Sequence, residues 1–134
     1  MTVAVIHAES APGRQALESA VAEARSRSTT LTVVSSLSGT GDPQAVELER
    51  QALDTRLRTL VPSDVDWRSV SVPPGADATG SVIEYVEDLS PVLLVVGTRS
   101  RSSVGKLLLG RAQQRVLLEV TVPILVVKPP QDES

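Results

Sequence analysis

Residues 91–127 read PVLLVVGTRSRSSVGKLLLGRAQQRVLLEVTVPILVV. An aliphatic run, PVLLVV, opens onto a Gly- and Ser-punctuated stretch, after which come a helical segment and a second aliphatic run. Between Gly97 and Arg115 the stretch carries Arg99, Arg101, Lys106, Arg111 and Arg115 and no acid, although the whole chain has a formal net charge of -3. A basic loop after a strand and before a helix is a common way for α/β proteins to hold a phosphate or another anion. Glycines let backbone N–H groups approach the ligand, and the helix N-terminus adds positive potential. The plainer reading is a solvated basic connection. Its place at the carboxyl end of a strand is what sets an anion site beside that reading.

Working outward, the same alternation fills the rest of the chain. A first strand is expected over residues 2–6, and Ser10-Ala-Pro-Gly13 supplies turn and cap chemistry before a helix at about 14–26. Leu17, Ala20, Val21 and Ala24 fall on one face of that helix. A short β-branched strand at 31–34 precedes a polar loop over 35–42, and a second helix runs from Pro43, capped by Asp42, to about 61. A third strand over about 65–72 ends at Pro73-Pro74-Gly75, and a third helix covers about 79–89. Strands at 92–96 and 122–127 flank a fourth helix at about 111–120. This β-α-β-α-β-α-β-α-β order predicts one doubly wound, Rossmann-like α/β domain over residues 1–128, with a five-stranded parallel sheet covered by helices on both faces. Residues 129–134 are expected to form a disordered tail. Pro123, early in the last strand, suits a sheet edge. A bare apolar edge invites pairing, so a homodimer joined through Val122 to Val127 is expected.

Composition narrows the function. The chain has 134 residues, no cysteine, one histidine and an almost wholly aliphatic core composition. Disulfides, thiolate metal sites and Cys nucleophiles are therefore excluded. Trp67 and Tyr85 are the only aromatic residues, too few for the stacking platforms that hold single-stranded nucleic acid. The acidic balance argues against generic DNA binding. No run approaches the length of a bilayer span and no signal peptide is visible, so a cytoplasmic protein without a membrane partner is expected.

The segment VVGTRSRSSVGKLLLGRAQQRVLLEVTVPILVV, with GADATGSVIEYVEDLSPVLLVVG before it, resembles the universal stress protein family, and the likeness covers nearly the whole chain. The resemblance implies a strand order of 3-2-1-4-5. The switch-point rule independently puts the ligand crevice between the first and fourth strands. The resemblance also implies a non-enzymatic, stress-responsive regulatory dimer that binds ATP or another adenine nucleotide, with Mg²⁺ if so. Nucleotide-binding members carry Gly-x-x-Gly, nine residues, then Gly followed by Ser or Thr; here Gly97 and Gly110 keep that spacing. Ser100 stands at the second glycine position, where its Cβ disfavours positive φ. Arg111 stands at the hydroxyl position and offers a charge-assisted contact instead. Ser102, Ser103 and Gly105 lie between. The family's Asp after the first strand falls on Ala8 by strict spacing, or on Glu9 with a shift of one.

The resemblance thus implies that Gly97, Thr98, Arg99, Ser100, Gly110 and Arg111 hold phosphates. Ile6, His7, Ala8 and Val34 would flank the base, and Val96 and Ala112 complete the candidate set. A nucleotide-free protein–protein module with the same fold is the alternative. A weak ATPase or phosphotransferase comes third, because no general base or nucleophile is positioned. His7, alone and without an obvious partner nucleophile, is read as lining the crevice. Glu84, Glu87 and Asp88 are read as a wet helix face rather than a metal site. Asp77 is read as a helix cap and Trp67 as a partly buried strand residue. Gln113, Gln114 and Arg115 either reach a ligand's phosphates or form a solvated face.

Overall fold

The computed structural model describes residues 1–8, 10–37, 42–73, 75–98 and 110–128. Strands and helices alternate as β1 (Thr2–Ile6), α1 (Ala11–Ser26), β2 (Thr30–Ser36), α2 (Pro43–Leu60), β3 (Trp67–Val72), α3 (Ala78–Leu89), β4 (Leu93–Gly97), α4 (Arg111–Glu119) and β5 (Ile124–Val127). The strands form one parallel sheet in the order β3-β2-β1-β4-β5, as expected. The tail at 129–134 and most of the basic loop, 99–109, lie outside the described residues.

Alternating side chains divide the core into two layers. Val3, Val5, Leu31, Val33, Leu93 and Val95 face α1 and α2, meeting Ala16, Leu17, Ala20, Leu53 and Leu57. Ala4, Val34, Leu94 and Val96 face the other way, against Val82, Ile83 and Val86 of α3 and Val116 of α4. Covering both faces is what makes these strands continuous aliphatic runs. Each fully buried Val or Leu contributes about 1.5–3 kcal/mol of hydrophobic stabilisation. Trp67 is half-buried against the first layer, the place read for it in sequence.

Several boundaries shift for identifiable reasons. α1 begins at Ala11 rather than near 14, because Ser10 caps it through Gly13 N–H and Pro12 fits the first turn. β2 extends to Ser36 because Ser35 and Ser36 pair with Ser71 and Val72. Val65 sits in a turn before β3, its N–H donating to the Pro62 carbonyl. β5 starts only after Pro123, which has no N–H to give a ladder. Asp42 and Asp77 cap α2 and α3 as expected, bonding Gln44 N–H and Gly80 N–H. Among the described residues, no helix is long and apolar enough to cross a membrane.

Candidate functional site

The strand order reverses between β1 and β4, and there the loops leaving the two strands part company. A cavity of about 450 Å³ opens at this point. Its floor and one wall are Ile6, Ala8, Ser10, Pro12 and Gly13, from the end of β1 and the start of α1. Val96 and Gly97 at the end of β4, with Gly110, Arg111, Ala112, Gln113 and Val116 of α4, make the other wall. The two walls are drawn together at Gly97, where an added Cβ would overlap the backbone carbonyl of Pro12. Gly13 meets Ala8 in the same way. Both glycines are thus required by close approach of backbone to backbone.

The polar groups around the cavity are unequally engaged. On the α1 side, Pro12 has no N–H and the Gly13 N–H is taken by Ser10 Oγ at 3.3 Å. On the α4 side, the first intrahelical bond runs from Gln114 N–H to the Gly110 carbonyl at 3.0 Å. The N–H groups of Arg111, Ala112 and Gln113 precede it, and among the described residues no side chain caps them. They leave the α4 N-terminus as the side able to receive negative charge. Arg111, exposed at the mouth, forms no ion pair among the described residues. Arg115, one turn on, is different: its guanidinium bonds Glu119 at 2.9 Å and Asp77 at 2.7 Å. Those two carboxylates, Glu119 foremost, raise its pKa further above its ordinary value. Asp77 is lowered in turn, by Arg115 first and then by the Gly80 N–H. No carboxylate lines the cavity among the described residues. The described residues also contain no cluster of three or more metal-ligating side chains.

The model of the Universal stress protein family matches residues 1–128. The chain belongs to that family. A universal stress protein of Mycolicibacterium smegmatis is 37% identical over 117 residues, covering 87% of this chain and 89% of that one. Among solved structures, a universal stress protein from Archaeoglobus fulgidus superposes with a TM-score of 0.77 at 23% identity, over 96% of this chain and 98% of that one. Another, from the same organism and in complex with dAMP, gives a TM-score of 0.73 at 18% identity, over 96% and 98% of the two chains. At these identities the structural likeness shows the fold.

Of the candidate residues that the family resemblance supplied, Ile6, Ala8, Val96, Gly97, Gly110, Arg111 and Ala112 all line the one cavity. Three others do not. His7 is 4% exposed and sits in the interior rather than at the crevice mouth, with its N–H bonded to the Val34 carbonyl. Val34 is fully buried in the core layer under α3. Thr98 is fully buried as well, and its N–H and Oγ1 both donate to the Val127 carbonyl. Arg99, Ser100 and Glu9 lie outside the described residues. Arg115 makes the ion pairs above on an exposed, solvated face and does not line the cavity. Glu87, on the helix face read as wet, also accepts from the N–H and Oγ1 of Thr121 at 2.6 and 2.7 Å, in exposed bonds. Ser10, Pro12, Gly13, Gln113 and Val116 line the cavity without having been in the candidate set. Ser10-Ala-Pro-Gly13 was legible as a cap, and a cap at the carboxyl end of β1 is by that position beside the crevice.

Proposed function

We propose that this universal stress protein is a regulatory, non-enzymatic binder of an adenine nucleotide, with the phosphates at the start of α4. One observation carries the reading: the switch-point cavity meets a helix N-terminus whose first-turn amides have no side-chain cap among the described residues, beside Arg111, which forms no ion pair among them. A phosphate seated there would accept from the Arg111, Ala112 and Gln113 amides and from the Arg111 guanidinium. Ile6, Ala8 and Val96 would offer the apolar surface for the base. The complex of a family neighbour with dAMP supports the ligand class. Mg²⁺ arriving with a di- or triphosphate would be held by phosphate oxygens and water, because the described lining offers no carboxylate. Calorimetric titration with ATP, ADP and AMP tests the reading. Arg111→Ala should weaken binding about 10- to 100-fold, the worth of one charge-assisted hydrogen bond. Wild-type protein that takes up no heat at millimolar nucleotide overturns it.

The same proposal has the protein acting in the cytoplasm as a homodimer joined at β5. That strand ends the sheet, pairs only with β4 among the described residues and is half-buried along its whole length. A second reading, a nucleotide-free module that docks other proteins, draws on Ala8 standing where an acid would serve a nucleotide. It predicts partner capture that survives nucleotide and is lost on charge reversal of Arg99 and Arg101.

A further inference from the structure

Among the described lining residues, Gln113 has a side chain that bonds both the end of β4 and the residue before α4. Its Oε1 accepts the Gly110 N–H at 2.7 Å, and its Nε2 donates to the Gly97 carbonyl at 3.2 Å. Both bonds are partly buried. Gly97 ends β4 and Gly110 precedes α4, so one amide group ties together the two ends of the intervening basic segment.

We infer that Gln113 is the positioning residue of this cavity, an amide clamp that fixes the start of α4 against the end of β4. The clamp presents the first-turn amides to a bound anion without itself contacting the phosphate. The inference rests on the anion-binding reading above. The other helices show why the arrangement is unusual. Ser10, Asp42 and Asp77 cap α1, α2 and α3 by accepting a first-turn N–H, which removes that donor from any ligand. Gly110 has no side chain to do this. The fastening comes instead from the third helical position and takes the cap residue's own N–H, as in one half of a capping box. The helix start is held, and among the described residues no side chain caps the three N–H groups after it.

The residue type matters as well. A glutamate would accept from Gly110 equally well, but it has no proton for the Gly97 carbonyl and would put a negative charge beside the anion. The neutral amide supplies a donor and an acceptor together. Gly97 is in turn packed on the Pro12 carbonyl, so the clamp also sets the gap between the starts of α4 and α1, which is the width of the cavity.

Two variants and two readouts test this, with ADP as the probe. Gln113→Met keeps the length and loses both hydrogen bonds, and Gln113→Glu keeps the bond to Gly110. Hydrogen exchange at the Gly110 amide should quicken in Gln113→Met and stay slow in Gln113→Glu. Both variants should bind ADP more weakly, Gln113→Met by about fivefold. Circular dichroism at the titration temperature would establish that each is folded, so a purely structural role would leave the Kd unmoved. Unchanged affinity in both variants, with wild type binding, overturns the clamp and leaves the anion site standing. Unchanged Gly110 exchange in Gln113→Met overturns it without reference to any ligand. Wild type that fails to bind ADP ends the anion reading and the clamp's function with it.

Discussion

At Gly97 a single added carbon would undo the closest approach in the site. The residue ends β4, its Cα faces the Pro12 carbonyl, and backbone atoms on both sides leave no flexible side chain to yield. Gly97→Ala should therefore push the start of α1 away from β4. We expect a loss of about 1–3 kcal/mol in urea unfolding, the usual range for an overpacked position, together with weaker nucleotide binding. An alanine variant as stable as wild type would show that the approach is not obligatory. This glycine was legible as part of a phosphate motif, but its packing role was not, because Pro12 is distant in sequence and adjacent only in the fold. His7 fails in a more instructive way. Continuing the pleat of β1 by one residue sets position 7 on the side of Val3 and Val5, the layer under α1 and α2. Its burial could have been read from alternation alone, and the polar character of histidine misdirected the reading. Val34 pairs in register with Ile6 at the centre of the sheet, and its fully buried position follows from that. Gln113 is the opposite case. Both its partners are backbone atoms that no composition or spacing identifies.

The elements themselves were largely written in their ends. Asp42 with Pro43, and Asp77 before α3, are start signals with a local mechanism, and both caps form. What lay beyond reach were the side chains that fasten one element to another. Glu87 of α3 holds the Thr121 corner that leads into β5, and Arg115 of α4 reaches the cap of α3. Each partner lies more than thirty residues away. These fastenings make the acid limb of stability predictable. Glu87 is held below its ordinary pKa by the Thr121 N–H and then by its hydroxyl. Asp77 is lowered by Arg115, Asp64 by Arg25, and Glu47 falls from 4.5 to about 2 beside Arg50. In every case the unfolded chain takes up a proton more readily than the folded one, so stability rises with pH through this window. The contribution is complete above the ordinary carboxylate range and is lost as pH falls through the lowered values, between about 4.5 and about 2. Urea unfolding followed from pH 6 down to about pH 2 should show that slope. Glu87→Gln should flatten it while preserving the fold. A slope identical in wild type and Glu87→Gln would mean that the Thr121 contact is not held in solution.

Over the whole molecule, alternating elements, right-handed crossovers and aliphatic strands pointed to a doubly wound parallel sheet, and the family resemblance supplied its strand order, which the structure has. The order then makes two edges, and they are not alike. β3 alternates serines with Trp67, Val70 and Val72 and carries the exposed Arg68, a mixed edge that resists pairing. β5 is Ile-Leu-Val-Val with no charge until Lys128. Leu125 and Val127 pack toward α1, and Ile124 packs toward the opposite layer. Val126 is half-buried and belongs to neither core cluster. A second copy adding its own β5 would satisfy the outer backbone groups and cover that side chain, which is the physical basis for the proposed dimer. Lysine at Val126 tests it, since a charge on an edge strand opposes strand addition without requiring any change inside the subunit. Wild type should sediment as a dimer, and Val126→Lys as a monomer with an unchanged circular dichroism spectrum. The cavity between β1 and β4 is lined from within one subunit, so the monomeric variant should keep its nucleotide affinity. A Val126→Lys protein that still dimerises would place the interface elsewhere, and a monomeric wild type would leave β5 a true edge.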